Sequence, residues 1–479
     1  MKSVSSPSFL LMALATQTLE AESPPVRVWV TDPVSLEFLL AAGEVLPASL
    51  NRKDSDIVFR PEVRFQTMEG FGASMTEASA VVIQSLSASD RDRVMKLLFD
   101  PGEGLGISLL RQPMGASDFA SSIYSYDDQP RGKIDPELKD FSVSRDDQAV
   151  VPLLQQALAL NPSLRLLASP WSPPAWMKSG ETMLGATGGF LKPEFFPAYA
   201  RYFVKFIEAY AQRGLPILAV TPQNEMDYGP KAYPGMLWTA EEEGRFIRED
   251  LGPALEKAGL NVKILAWDHN WDKADFAIEM LSDPATARYI AGTAWHYYGG
   301  HARAMDAIGA LFPDKELWFT EGGSGRWIGH DTFAGQFADG IRQAVSITSH
   351  GAKAFLWWNL ALDQNNGPVV YPNTDNYGLL RIDTAAKTVT EPYRACFYTL
   401  GHFSRFVVPG AVRIQALAAD PAVGAVAFQN PDGTLVAVLA NLLDEPRTVN
   451  LAEGTLEWAV TLPAQGAVTC VWTSPGGTR

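Results

Sequence analysis

The sequence predicts an α/β protein in which a (β/α)8 TIM barrel carries an appended all-β sandwich. Between residues 66 and 392, eight short apolar segments alternate with amphipathic segments of helical period, which is the pattern of a parallel barrel. Beyond residue 392 the pattern changes to short β-rich segments about ten residues apart, divided by turn residues, and this favours a small sandwich. Strand-like segments also precede residue 66. Because a complete barrel leaves them without partners, we expect these N-terminal strands to join the C-terminal ones.

The composition narrows the class of function. The 479 residues are 47% hydrophobic and 19% charged, as in a compact globular protein. The formal net charge of −15 argues against nucleic acid or an anionic membrane as a partner, because both need a basic surface. No apolar run reaches the length of an integral membrane segment. The two cysteines, Cys396 and Cys470, cannot form a disulfide framework, although a single disulfide bond between them is possible.

Residues 1–25 are interpreted as a leader. Lys2 precedes an apolar stretch at residues 9–15, which is typical of a weak signal peptide cleaved near Ala21. A disordered leader or a misplaced start is the alternative. The signal-peptide interpretation favours a secreted or periplasmic location over a cytoplasmic one. The strands that follow are predicted at residues 26–30, 57–59 and 63–65, in an N-terminal part that spans residues 26–65.

The barrel is predicted over residues 66–392, and its first strand begins near Met68. The other strands are predicted at residues 106–110, 164–168, 217–220, 262–267, 290–295, 316–320 and 354–358. Helices are predicted between them at residues 89–99, 146–160, 194–212, 239–257, 273–281, 302–312 and 332–349. The clearest is 194–212, where aromatic residues recur every three or four positions and Gly214 follows as a stop.

Residues 393–479 are predicted to form a linking helix and the sandwich. The helix spans residues 393–406, and a turn of sequence Asn-Pro-Asp-Gly at residues 430–433 divides two of the strands. The strands are predicted at residues 412–417, 423–429, 435–441, 448–451, 456–462 and 468–472.

Two glutamates follow predicted barrel strands. Glu225, preceded by Asn224, comes after the fourth strand, and Glu321 comes after the seventh. The carboxyl ends of all barrel strands meet at one face, so these side chains can lie together despite their distance in sequence. A carboxylate pair is what glycoside hydrolysis requires, since one group protonates the leaving oxygen and the other attacks the anomeric carbon or activates water. The alternative for either residue is an ordinary surface glutamate in a loop.

Further polar residues end other strands. Arg111 ends the second strand and can hold a nucleophilic carboxylate ionised, or else form a surface ion pair. His296 and Tyr298 end the sixth, where the phenol can donate to a carboxylate or to the backbone. A proton shared by the two glutamates is then predicted to rest on Glu225. Two indoles and an amide offer a stacking wall and a partner for sugar hydroxyls, with core packing as the alternative: Trp171, Trp358 and Asn359.

Other chemistries fit poorly. Residues 102–106 are rich in glycine, but they precede their strand instead of following one, so they do not form a dinucleotide loop. Residues 321–326 lack the final glycine of a nucleophile elbow. The six histidines show no ligand spacing, so neither a metal nor another cofactor is predicted.

Several ordered motifs resemble glycoside hydrolase family 30, which includes lysosomal glucosylceramidase and bacterial β-1,6-glucanases. The similarity runs from about residue 60 to the C-terminus. One departure is Met226, where the family usually has proline after Asn-Glu. The motifs lie at residues 71–80, 109–119, 168–178 (Ala-Ser-Pro-Trp-Ser-Pro-Pro-Ala-Trp-Met-Lys), 221–225, 320–322 and 358–363.

The resemblance implies a retaining mechanism with Glu225 as acid/base and Glu321 as nucleophile. It also implies that Asn224 contacts the sugar 2-hydroxyl and that Arg111 and Tyr298 support Glu321. A glycone subsite is implied by four further residues: Asp118, Trp171, Trp358 and Asn359.

The predicted function is therefore a retaining β-glycosidase acting on β-glucosides, similar to a glucosylceramidase. Its substrate would be a carbohydrate or glycolipid with one terminal glucose in the pocket. An endo-β-1,6-glucanase is the main alternative, and a β-xylosidase or β-fucosidase is a further one. From a different class, the chain can be an inactive glycan-binding protein. The oligomeric state is not predicted.

Overall fold

The computed structural model describes residues 25–45, 56–371 and 375–474. Apart from Pro25, the leader predicted at residues 1–25 lies outside this part of the chain. The N-terminal strands are β1 (Val26–Asp32), β2 (Glu37–Val45) and β3 (Ile57–Thr67). The two strands predicted at 57–59 and 63–65 are thus wrong as separate elements. They form one strand because the register of β3 with its partner shifts between Arg60 and Arg64, and a bulge there tolerates Pro61, which has no N–H to donate.

Eight parallel strands close into a barrel, as predicted. Several extend further toward the carboxyl end than predicted, because the polar strand-end residues still pair with their neighbours. The strands in chain order, with β11 outside the barrel, are β4 (Gly70–Ser74), β5 (Leu109–Pro113), β6 (Arg165–Ser169), β7 (Ile217–Val220), β8 (Lys263–Asn270), β9 (Ile290–His296), β10 (Glu316–Gly322), β11 (Ser324–Gly325) and β12 (Ala354–Asn359). An apolar cluster that includes Leu167, Leu265 and Trp318 packs inside the barrel.

The helices pack around the barrel. Their bounds are α1 (Glu77–Gln84), α2 (Ala88–Phe99), α3 (Val150–Leu160), α4 (Gly185–Gly188), α5 (Phe196–Gln212), α6 (Ala240–Phe246), α7 (Gly252–Lys257), α8 (Ala274–Ser282), α9 (Pro284–Ala287), α10 (Ala304–Leu311), α11 (Phe333–Ser349) and α12 (Ala395–Ser404). The helix α1, capped by Thr76, was not predicted. The helix predicted at 239–257 is observed as a continuous helical stretch, in which a π-helical turn at Ile247–Leu251 divides α6 from α7. Pro253 just beyond it cannot donate the next helical hydrogen bond.

The sandwich combines both ends of the chain. After four short strands, β13 (Ala361–Asp363), β14 (Asn376–Tyr377), β15 (Leu380–Asp383) and β16 (Thr388–Val389), the C-terminal strands are β17 (Val412–Ala418), β18 (Val423–Gln429), β19 (Thr434–Asn441), β20 (Arg447–Glu453), β21 (Leu456–Leu462) and β22 (Ala467–Thr473). The order of the nine-stranded sheet is β2-β1-β22-β19-β18-β17-β3-β20-β21. The prediction that the N-terminal strands join the sandwich is therefore confirmed, whereas the domain limits at residues 65 and 392 stay predictions.

The described residues also show the state of the two cysteines and the character of the helices. Cys396 and Cys470 are both buried free thiols, so the bridge between them is not formed in this structure. Within the described ranges, no helix combines the length and apolar character that crossing a bilayer requires.

Candidate active site

A cavity of about 430 Å³ opens at the carboxyl ends of the barrel strands. It contains the two predicted catalytic glutamates and five of the other predicted site residues. Its lining is Asp118, Trp171, Asn224, Glu225, Tyr228, Tyr233, His269, Asn270, Tyr298, Glu321, Trp327, Trp358, Tyr371 and Asn376. A larger cavity of about 660 Å³ lies against α10 and α11, and no carboxylate occurs among the described residues that line it. Of these two cavities, the smaller one therefore contains the paired carboxyl groups.

The two glutamates are adjacent in space. One oxygen of Glu225, one of Glu321 and a ring nitrogen of His296 all lie within 4.8 Å of one another. Glu225 has a φ of 50°, a left-handed conformation that non-glycine residues rarely adopt. Its amide donates to the carbonyl of Asp268 at 3.1 Å, which helps to hold this conformation.

Glu321 is held by two donors. Arg111 Nη1 donates to its Oε2 at 2.5 Å, and the hydroxyl of Tyr298 donates to its Oε1 at 2.9 Å. Arg111 is fully buried, so it is not the surface ion pair that its sequence also allowed. Its guanidinium also stacks over Trp171, 4.8 Å from the ring centroid. Both oxygens of Glu321 therefore face fixed hydrogen-bond donors.

Asp268, at the end of the fifth barrel strand, is a central residue that the sequence analysis missed. It is fully buried. Although burial opposes ionisation, the Arg111 guanidinium and the hydrogen bond from His296 hold the pKa of Asp268 below its usual range. Five side chains donate to its carboxylate: Arg111 Nη2 at 2.7 Å, Ser169 Oγ at 2.8 Å, Thr221 Oγ1 at 2.6 Å, Thr320 Oγ1 at 2.6 Å and His296 Nε2 at 3.1 Å. Asp268 thus fixes the two cationic side chains that contact the glutamates.

Glu225 lies between two imidazoles. Its Oε1 is 3.2 Å from His296 Nδ1 and 3.4 Å from His269 Nε2. Burial acts to raise the pKa of Glu225, but the hydrogen bond from His296 and the charges of both histidines lower it below its ordinary value. Burial acts to lower the pKa of His296, but the charge of Glu321 and the hydrogen bonds to Asp268 and Glu225 raise it to about 9. These shifts favour a proton on His296 over one on Glu225, so the prediction that the shared proton rests on Glu225 gains no support from them and stays a prediction.

A second network, also missed, supports His269. Its Nδ1 is hydrogen-bonded to Asp227, and Asp227 in turn accepts from Lys273. The signal for His269 was present in the sequence. Asp268, His269 and Asn270 are polar residues at the end of a barrel strand, as Glu321 is, but the predicted strand ended at Trp267.

Four of the residues implied for sugar binding line the same cavity: Asp118, Trp171, Asn224 and Trp358. Trp171 and Trp358 stack with ring centroids 4.9 Å apart. Burial, followed by the charges of Glu321 and Glu225, raises the pKa of Asp118 well above its usual range. Its Oδ1 is buried without a partner among the described residues, so sugar hydroxyls can supply the missing donors.

The two predicted amides differ in position, since only Asn224 lines the cavity. Asn224 Oδ1 accepts from Arg111 Nη2 at 2.7 Å, which orients its amide group. Asn359 does not line the cavity. It is buried, its Oδ1 accepts from Thr76 at 2.7 Å, and its Nδ2 has no partner among the described residues.

Glu225, His296 and Glu321 are also close enough to share a metal ion. Arg111 and Tyr298 already donate to Glu321, however, and a cation would have to displace them or compete with the guanidinium charge. That the site works without a metal stays a prediction.

A closed barrel with two adjacent carboxyl groups at the carboxyl end of its strands and an indole wall beside them is the arrangement of a glycoside hydrolase. The family follows from comparison with known proteins. Residues 68–407 match the glycosyl hydrolase family 30 TIM-barrel domain, and residues 410–470 match the family 30 beta sandwich domain. The chain belongs to glycosyl hydrolase family 30 and is an O-glycosyl hydrolase, as its motifs predicted.

Two relatives in this family carry different names. The chain is 32% identical over 437 residues to lysosomal acid glucosylceramidase of Mus musculus, covering 87% of this chain and 83% of that protein. It is 30% identical over 433 residues to an endo-1,6-beta-D-glucanase of Aspergillus fumigatus, covering 85% of each.

Solved structures agree with this assignment. SrfJ from Salmonella typhimurium superposes with a TM-score of 0.88 at 30% identity, over 94% of this chain and 100% of that one. An endo-beta1,6-glucanase superposes with a TM-score of 0.86 at 29% identity, over the same shares.

Proposed function

We propose that the protein hydrolyses β-glucosides with retention of configuration, with Glu321 as nucleophile and Glu225 as acid/base. The observation that carries this proposal is the separation of at most 4.8 Å between an oxygen of Glu225 and one of Glu321. Retaining enzymes hold their carboxyl groups roughly 5–5.5 Å apart, whereas inverting enzymes need roughly 6.5–9.5 Å to admit a water molecule. The separation of at most 4.8 Å agrees with the retaining class and supports direct attack by one carboxylate on the anomeric carbon.

In the first step, an oxygen of Glu321 bonds to the anomeric carbon as the bond to the leaving oxygen breaks. The leaving oxygen takes a proton from Glu225. His296 supplies that proton through the hydrogen bond between its Nδ1 and Glu225 Oε1. The transfer becomes favourable as Glu321 loses its charge to the covalent bond, because that charge is a principal cause of the raised pKa of His296.

In the second step, water replaces the leaving group. Glu225 takes a proton from the water and returns a proton to His296 Nδ1, the water oxygen bonds to the anomeric carbon, and the bond to Glu321 breaks. Arg111 and Tyr298 then stabilise the carboxylate that returns. Protons balance over the two steps, so the cycle needs no cofactor.

The substrate is proposed to resemble that of the glucosylceramidase relatives, with one terminal glucose in the cavity. Asp118, Asn224 and Trp358 surround the space beside the two glutamates and offer partners for a neutral sugar ring. A sugar that carries its own negative charge would face the carboxyl groups of Glu225 and Glu321, which disfavours it.

A specific observation favours the endo-β-1,6-glucanase alternative. Among the described residues that line the cavity, none is aliphatic, and the outer ones are Tyr228, Tyr298 and Trp327, each more than a third exposed. Aromatic faces with polar edges suit a second sugar ring better than a ceramide chain. The aglycone is therefore the part of the substrate on which the two candidates differ.

Turnover of an aryl β-glucoside, followed by proton NMR, tests the reaction itself. The first product detected is expected to be β-glucose. Initial α-glucose would show inversion, and no turnover of aryl glucosides, xylosides or fucosides would support the inactive glycan-binding alternative. A panel of glucosylceramide and linear β-1,6-glucan then separates the two substrate classes. Early release of mixed oligosaccharides from the glucan would make the endo-glucanase the better assignment.

A further inference from the structure

The fifth barrel strand is strained where it reaches the active site. Trp267 and Asp268 are consecutive residues with positive φ, 80° and 52°. The register of β8 with β9 shifts between Trp267 and His269. Two such residues at a register shift form a β-bulge, a feature that re-aims side chains and often adjoins active sites.

The bulge changes which residue faces the barrel interior. Leu265 belongs to the interior apolar cluster, whereas Ala266 and Trp267 both belong to the outer layer against the helices. Strict alternation would have turned Trp267 inward and Asp268 outward. Because two successive residues face outward, the Asp268 carboxylate reaches Arg111 and the interior network instead.

One side chain from a neighbouring helix holds this bulge. Glu243 of α6 accepts the Trp267 amide hydrogen at its Oε1, with an N···O distance of 3.2 Å. Glu243 is fully buried, and its Oε2 has no partner among the described residues. Burial, with a smaller contribution from the charge of Asp268, raises the pKa of Glu243 to about 8. The raised pKa favours the neutral acid near pH 7, a form that accepts the hydrogen bond without bringing a second negative charge to Asp268.

We propose that Glu243 is a positioning residue, which acts through the Trp267–Asp268 bulge to place Asp268 and, through the Asp268 carbonyl, the backbone of Glu225. This inference rests on the proposed function, in which Glu225 is the proton donor. Glu243 touches no substrate in this scheme. Loss of the Glu243 carboxyl group should displace Glu225, because the amide of Glu225 donates to the carbonyl of Asp268 in the bulge.

The test compares Glu243→Leu, which fills the space without an acceptor, with Glu243→Gln, whose amide oxygen can still accept. We expect Glu243→Leu to lower kcat/KM at least tenfold for phenyl β-glucoside but much less for 2,4-dinitrophenyl β-glucoside, whose leaving group needs no proton. Glu243→Gln should restore wild-type values for both. Glu241→Leu, an exposed position on the same helix, should match the wild type. A general loss of stability would lower kcat/KM equally for both substrates and would not produce this dependence on the leaving group.

A second measurement does not depend on turnover. Residue-resolved amide hydrogen exchange should show the Trp267 amide protected in the wild type and in Glu243→Gln, and exposed in Glu243→Leu. Should Glu243→Leu not fold, Glu243→Met keeps the unbranched shape and serves in its place. Free exchange of the Trp267 amide in the wild type would overturn the inference, as would equal losses with both glucosides in the Leu or Met variant. A wild-type enzyme that is inactive but protected at Trp267 would refute the proposed function while leaving the bulge contact intact.

Discussion

Glu225 and Glu321 are the same residue type with different neighbours. Glu321 faces a guanidinium and a phenol that donate hydrogen bonds to its two oxygens. Glu225 faces two imidazoles, and the pKa of one of them, His296, is raised to about 9, which favours a proton there. The roles of nucleophile and proton donor are therefore proposed from these contacts.

Glu321→Ala should abolish turnover of every glucoside, with a loss of about 10⁴-fold or more, because no other carboxylate can form the covalent intermediate. Small anions such as azide should restore part of the activity by occupying the vacated space, and the product is then expected to be the α-glucosyl azide. Rates with and without azide, and NMR of the product, check this.

Glu225→Ala should be most harmful with poor leaving groups and should spare the first step with 2,4-dinitrophenyl β-glucoside, whose leaving group departs without a proton. External azide should then attack the glucosyl-enzyme and yield the β-glucosyl azide. Glu321→Gln, which keeps the shape but not the charge, is the comparison at the other position. If the β-azide forms in Glu321→Ala instead, the two roles are reversed.

At the scale of elements, one buried lysine holds two of the loops that surround the cavity. Lys178 Nζ donates to the carbonyls of Met183 at 3.1 Å, Leu184 at 3.2 Å and Gly235. Burial alone lowers the pKa of Lys178 to about 7. The second loop carries Tyr233, which lines the cavity. The lysine thus links the segment after the third barrel strand to the segment after the fourth.

Lys178→Met should raise KM for β-glucosides by roughly tenfold with a smaller change in kcat, since it frees Tyr233 but leaves the two glutamates in place. Steady-state kinetics with an aryl glucoside measure both constants. Lys231→Met removes an exposed lysine of the same loop and should leave both unchanged. A loss confined to kcat would mean that Lys178 supports the catalytic groups and not the loop.

The elements that could be predicted were those with a local signal. The strand at Ile217–Val220 is a short apolar run that ends at polar residues, and it was predicted with its observed bounds. The strand β8 was predicted to end at Trp267, because an indole followed by an aspartate matches the boundary between a buried strand and a loop. Its continuation through Asp268 depends on a bulge held by Glu243 from another helix, and sequence distance conceals such a contact. Asp268 and His269 were missed for that reason.

At the scale of the whole molecule, the helix α12 lies between the barrel and the sandwich. His402 of this helix is fully buried, 2.8 Å from Thr31 Oγ1 of β1 and 2.8 Å from Thr469 Oγ1 of β22. Both strands belong to the sandwich, and they come from opposite ends of the chain. The N-terminal strand is therefore tied to the C-terminal one both directly and through this histidine.

The state of His402 makes this junction sensitive to acid. Burial lowers the pKa of His402 to about 3, and no charged group contributes to this shift. The unfolded chain binds the proton near pH 6.5, so the contribution of His402 to stability is complete above that pH and is lost as the pH falls toward 3. Each pH unit in this window should lower the free energy of unfolding by up to about 1.4 kcal/mol.

Thermal unfolding between pH 7 and pH 4 should therefore show a steeper loss of Tm in the wild type than in His402→Gln. The Tm of this variant starts lower, but its side chain at position 402 cannot titrate. His301→Asn, at an exposed histidine, should keep the wild-type slope. Equal slopes in the wild type and His402→Gln would assign the acid sensitivity to other groups.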